Sequence, residues 1–113
     1  MADKRDIKRI KKRISIRFGI EEAARVAFTE DISMTGMFII TPNVITPNSR
    51  ITVRFELPEG TGVELEARVM WAKKVPANLF HLVKKSGMGV RFLHFNAGKD
   101  AFDDYFKKIA TPH

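Results

Sequence analysis

The stretch ITVRFELPEGTGVELEARVMW, residues 51–71, decides the fold. Ile51, Val53, Phe55 and Leu57 alternate with Thr52, Arg54 and Glu56. Val63, Leu65, Ala67, Val69 and Trp71 alternate in the same way with Glu64, Glu66, Arg68 and Met70. A period of two puts every apolar side chain of a strand on one face. Pro58-Glu59-Gly60-Thr61-Gly62 between the two runs is turn chemistry, so the stretch reads as an antiparallel hairpin with one face for a core. Trp71 closes the second apolar row and is expected as a core anchor.

On the N-terminal side, Ile14, Ile16 and Phe18 alternate with Ser15 and Arg17, which predicts another half-buried strand. Glu21-Glu22 suits a turn, and Arg25-Val26-Ala27-Phe28-Thr29 continues as a strand. Met37-Phe38-Ile39-Ile40-Thr41 is a short apolar run between Gly36 and Pro42, the mark of a buried strand. Loop punctuation, Thr41-Pro42-Asn43 and Thr46-Pro47-Asn48, encloses Val44-Ile45. On the C-terminal side, Leu79-Phe80-His81-Leu82-Val83 fits strand or helix. Met88-Gly89-Val90-Arg91-Phe92-Leu93 reads as a last strand, with Gly87 and Gly89 marking a bend or close approach. Phe102, Tyr105, Phe106 and Ile109 then follow the i, i+3, i+4, i+7 spacing of a helix, with acids early and lysines late, as the helix dipole favours. Five to seven short strands followed by one helix favour a small antiparallel β-barrel over any βαβ design. Closing the sheet removes its exposed edges.

The 113 residues are one domain, and the chain is basic, with a formal charge of +7. Residues 1–18 hold eight basic side chains (Lys4, Arg5, Lys8, Arg9, Lys11, Lys12, Arg13 and Arg17) against Asp3 and Asp6, while the other 95 residues are almost balanced. The excess is therefore local. Residues 1–13 read as a basic flexible arm carrying R-x-x-x-R, and residues 14–110 as the barrel and its helix. Such charge calls for an anionic partner: a nucleotide, a nucleic acid or an acidic membrane surface. There is no cysteine, hence no disulfide framework or thiolate metal site. No apolar run approaches a membrane span and no signal-peptide core follows the basic start, so a cytoplasmic protein without membrane insertion is expected.

The motif Asp31-Ile32-Ser33-Met34-Thr35-Gly36 holds an acid, a hydroxyl and a glycine together in this cationic chain. Arginine presents a planar fork that meets phosphate oxygens or the O6/N7 edge of guanine in a bidentate way. Guanine's other edge carries donors and calls for a carboxylate, which Asp31 supplies beside the Ser33 hydroxyl. Gly36 allows a positive φ or a close backbone approach. Taken alone, the basic arm is a solvated tail or nonspecific polyanion binder, and Asp31-x-Ser33 an Asx-turn that caps its own backbone. Taken together they are complementary to a guanine nucleotide.

R-x-x-x-R before a first strand, followed about twenty residues on by D-x-S-x-x-G, resembles the PilZ domain family. Arg68-Val69-Met70-Trp71 resembles that family's V-x-W strand, and Gly87-Met88-Gly89-Val90-Arg91-Phe92 its closing GMGVRF strand. The resemblance implies a six-stranded antiparallel barrel that binds the bacterial second messenger cyclic di-GMP and signals to a downstream protein, in motility or biofilm regulation. Carried over, Arg9 and Arg13 match the arginine pair, with Arg5 and Arg9 as a second register. Asp31, Ser33 and Gly36 match the guanine-contacting motif. Without ligand the charged arm is expected to be mobile; ligand phosphates and guanine would order it against the barrel.

Cyclic di-GMP is a ligand in this reading, and no cofactor is implied. His81, His94 and His113 share no metal-ligand spacing, and read as ordinary surface or edge histidines. Trp71, if not in the core, is a platform for base stacking. Glu64 and Glu66 belong to an exposed strand face, and Asp103-Asp104 to a helix surface. No nucleophile, base and orienting group form a set, so no enzyme is expected. Two rivals stand beside the receptor: a nucleic-acid-binding barrel, against which the lack of a basic–aromatic stripe tells, and a PilZ-like adaptor acting without ligand.

Overall fold

The computed structural model describes residues 8–75 and 86–111. Arg5, the ambiguous segment 79–83, His81 and His113 lie outside them. Among the described residues, seven strands and one helix follow in order: β1 (Ile10–Lys11), β2 (Ser15–Gly19), β3 (Arg25–Ile32), β4 (Gly36–Ile40), β5 (Arg50–Glu56), β6 (Gly62–Lys73), β7 (Gly87–Ala97) and α1 (Lys99–Ala110). All pairings are antiparallel. The sheet runs β3-β2-β5-β6-β7-β4, and β4 pairs back to β3, so six strands close into a barrel. β1 is a short addition that extends the β2 side of β3 toward its C-terminal end, with Ile10 opposite Ile32 and Lys11 opposite Asp31.

The alternation of residues 51–65 translates directly into burial. Ile51, Val53, Phe55, Leu57, Val63 and Leu65 are all inside, and the intervening charged residues are outside. Ile16 and Phe18 from β2, Ile32 from β3, Met37 and Ile39 from β4, and Met88 from β7 complete the filling. Helix α1 covers one end. Phe102 is fully buried and packs against Phe55, Phe92, Phe95 and Phe106, with ring centroids 5.7–6.4 Å apart. The helical spacing read from Phe102 to Ile109 is borne out, with the helix starting three residues earlier, at Lys99. No helix among the described residues is long and apolar enough to cross a membrane.

The ladders contain extra residues that strict alternation does not foresee. In β3, Thr29 lies opposite Ile39 and Asp31 opposite Phe38, which leaves Glu30 as a bulge. In β6, Val69 lies opposite Val90 and Trp71 opposite Gly89, which leaves Met70 as a second bulge. A bulge turns two consecutive side chains to the same side and bends the strand. Trp71 therefore does not enter the core. It is 50% exposed and Met70 is 47% exposed, which corrects the reading of Trp71 as a core anchor.

Candidate functional site

The two bulges flank a cleft of 720 Å³ on the outside of the barrel, over β4 and the adjoining part of β7. From the β3 side, Glu30 and Asp31 reach it together because Glu30 is the inserted residue. From the β6 side come Met70 and Trp71 for the same reason. Arg9 on the arm and Arg91 on β7 add positive charge to the lining.

The floor is aromatic. The Trp71 and Phe38 rings stack with centroids 5.2 Å apart and planes within 17°. Gly89 lies under the indole; a Cβ there would stand 2.3 Å from the Trp71 Nε1. Only glycine lets this tryptophan lie flat on the strand. The indole face is thus exposed to the cleft, the geometry that the alternative reading of Trp71 requires.

The D-x-S-x-x-G motif divides its labour. Ser33 is wholly buried. Its Oγ accepts the backbone N–H of Thr35 and of Gly36, both at 3.1 Å, and its hydroxyl donates to the Gly36 carbonyl at 3.2 Å. The serine, and not the aspartate, caps the β3–β4 turn. Ser33 does not line the cleft, and its hydroxyl is spent inside the loop. Gly36 does line it, with negative φ; a Cβ would stand 2.3 Å from the Val90 carbonyl oxygen, so the glycine serves close strand approach.

Asp31 is left to face the cleft. Arg9 donates to its Oδ1 through Nη2 at 2.6 Å and through Nε at 3.0 Å. Both donors fall on one oxygen, so Oδ2 keeps its lone pairs without a partner among the described residues. The pair is partly solvated, with side-chain exposures of 47% for Arg9 and 28% for Asp31. Lys11 lies 3.8 Å from Glu30. The described part of the arm thus runs beside β3. It is held further by Thr29, whose buried hydroxyl donates to the Lys12 carbonyl at 2.5 Å and accepts the Ile14 N–H at 2.9 Å.

Arg13 goes elsewhere. Its guanidinium sits 3.9 Å above the Phe28 ring, three positions along β3 from Asp31, and does not line the cleft. A spacing of four reads as one helical face, but along this strand-like arm it separates the two arginines. The structure therefore brings Arg9, Asp31 and Gly36 to one opening, puts Ser33 beneath it, and leaves Arg13 outside. Sequence reasoning passed over Glu30, Phe38, Met70 and Arg91. For Arg91 the signal was available, since it is an outward-facing cation in a glycine-rich strand next to the motif. No cluster of three or more His, Asp or Glu side chains suited to a metal occurs among the described residues.

The fold is a closed antiparallel barrel with a bulge-flanked cleft, where a guanidinium and a carboxylate meet an aromatic face. The sequence matches the PilZ domain family over residues 3–106, and the chain belongs to that family. Its fold is shared with solved structures of low sequence identity. The inhibitor of motility MotI/DgrA of Bacillus subtilis superposes with a TM-score of 0.74 at 18% identity, over 96% of this chain and 52% of that one. The chain thus spans about half the length of that protein. The PilZ domain of CeSA from a cellulose-synthesizing bacterium superposes with a TM-score of 0.61 at 17% identity, over 92% of this chain and 99% of that domain. No curated protein matches the sequence.

Proposed function

We propose that the chain is a receptor module for cyclic di-GMP that passes the signal to a partner protein. One observation carries the reading: Arg9 and Asp31 meet at the rim of a cleft floored by the stacked Trp71 and Phe38 rings. A guanine laid on the indole presents its N1–H and N2 amino donors to Asp31 Oδ2, and its phosphate or O6/N7 edge to Arg9. Membership of the family supports this ligand above other guanine nucleotides.

Magnitudes allow the exchange. A partly solvated ion pair such as Arg9–Asp31 is worth about 0–1 kcal/mol, whereas each charge-assisted hydrogen bond to ligand contributes about 1.5–3 kcal/mol. Several such bonds outweigh the direct contact and the roughly 1–2 kcal/mol per residue needed to order more of the arm. The ligand then bridges arm and barrel, and the arm's altered surface is what the partner reads. The structural likeness to an inhibitor of motility supports the motility apparatus as the target.

Isothermal calorimetry with cyclic di-GMP tests the reading. Wild-type protein is expected to bind, and Asp31→Ala to lose most of that binding. No heat at high micromolar ligand would favour the adaptor that works without ligand. Binding to nucleic acid with a steep salt dependence and indifference to Asp31→Ala would favour the nucleic-acid reading.

A further inference from the structure

The outer face beside the cleft carries a charge arrangement that folding alone does not favour. Arg50 on β5 lies directly opposite Arg68 on β6, and Arg68 directly opposite Arg91 on β7. Opposed residues share a face, with Cβ atoms about 4.5–5.5 Å apart, so like charges there work against the sheet. All three arginines are exposed. Arg50 is offset by Glu66 at 3.5 Å, but Arg68 and Arg91 have no acidic partner among the described residues. Arg54 on the same face shows the contrast: its cross-strand neighbour is Glu64, 3.2 Å away. On the far side of Arg91 the cross-strand position is Gly36, which has no side chain, so nothing at that position screens Arg91 from the Asp31 corner.

We propose that Arg68 and Arg91 form a second anion seat on the outer lip of the cleft, which takes a phosphodiester of the bound nucleotide. The inference rests on the cyclic di-GMP reading. That ligand has two phosphodiesters on opposite sides of its ring, and Arg9 serves the β3 side of the cleft, while Arg91 lines its β7 side. Two neighbouring guanidiniums match one phosphodiester's two free oxygens. A bound phosphate cancels the repulsion between them, so an arrangement unfavourable in the free barrel becomes favourable in the complex.

Arg68→Gln, Arg91→Gln and the double variant test this by two readouts: thermal unfolding without ligand at low salt, and calorimetry with cyclic di-GMP. Each single variant is expected to melt at or above the wild-type temperature, because a repulsion is relieved. Each is expected to bind about 10- to 100-fold more weakly. The double variant should lose less than the product of the two, because both arginines share one phosphate. Wild-type affinity in both single variants, with Asp31→Ala still impaired, would overturn the seat and leave the ligand reading standing. A wild-type protein that binds no ligand would remove the reading and the seat together. Variants that melt well below wild type would show that the arginines serve the fold, and would overturn the proposal as well.

Discussion

Trp71 is the one tryptophan of the chain, half exposed and lying flat over Gly89. Its emission therefore reports on the cleft alone. Free protein is expected to fluoresce as a solvated indole and to be quenched by iodide. Saturating cyclic di-GMP should shift the emission and protect it, as a base covers the ring. Truncation separates binding from folding. Trp71→Ala removes a face on which stacking is worth about 1–3 kcal/mol per base, and affinity should drop accordingly. The stability loss should stay well below the roughly 3–5 kcal/mol of a buried Trp→Ala change, because half the side chain is already in water. Urea denaturation and calorimetry on the same variant check both halves. A large stability loss would return Trp71 to the role of core anchor. Asp31 and Ser33 show how far local backbone decides a side chain's use. Both are polar and two apart, yet one side chain is buried in a turn and the other faces the cleft. Their types announce hydrogen bonding, but only the local backbone decides with what.

Periodicity made most strands and the helix legible, because burial on one face leaves a mark at every second or every third-to-fourth residue. Bulges leave none. Glu30 and Met70 look like ordinary members of alternating runs, yet each is the residue that throws its strand out of step and opens the cleft. The same device recurs on β7, where Leu93 and Asn96 are the inserted residues opposite β6. Asn96 uses its position to donate to Glu66 Oε2 at 3.0 Å and to Glu64 Oε2 at 3.1 Å. Thr52 adds a hydrogen bond to Glu66 at 3.2 Å, and Arg50 a contact at 3.5 Å. Asn96 first, then Thr52 and Arg50, hold the Glu66 carboxyl below its ordinary value of 4.5, against the opposing pull of partial burial. A carboxyl held low in the fold lends stability above its unfolded value and loses it as pH falls through the folded value. Thermal melts from pH 6 to pH 3 should therefore show wild type losing more than Glu66→Gln below about pH 4.5. At pH 6 the two should differ by less than about 1 kcal/mol, since the network lies at the surface. Parallel pH profiles would deny the carboxylate this part in joining β5, β6 and β7.

The barrel closes on itself, and the arm is an attachment to a finished structure. The excess charge, which says nothing about fold, lies on that arm, and Arg9 of the arm lines the cleft. The arm pairs along β3 and follows its geometry, so positions four apart separate, and Arg13 sits over Phe28 while Arg9 lines the cleft. The described arm touches two distant places at once. Arg9 holds Asp31 at the cleft, while Lys8 donates from Nζ to the Ala110 carbonyl at 3.1 Å, at the end of α1. A cation there suits the unpaired carbonyls and the negative pole of the helix. The cleft and the helix end are thus joined through two consecutive residues, and under the proposed function ligand that draws Arg9 away from Asp31 is expected to disturb Lys8 as well. The double variant Lys8→Gln/Arg9→Gln cuts both ties and leaves the strand pairing of Ile10 and Lys11. Two solvated contacts contribute at most about 1 kcal/mol each, so urea denaturation should show a loss below about 2 kcal/mol. Hydrogen exchange at residues 10–13 should quicken, cyclic di-GMP should bind far more weakly, and exchange at the last turn of α1 should no longer respond to ligand. If wild-type α1 exchanges at the same rate with and without ligand, the Lys8 contact is a local cap and the signal leaves the barrel by another face.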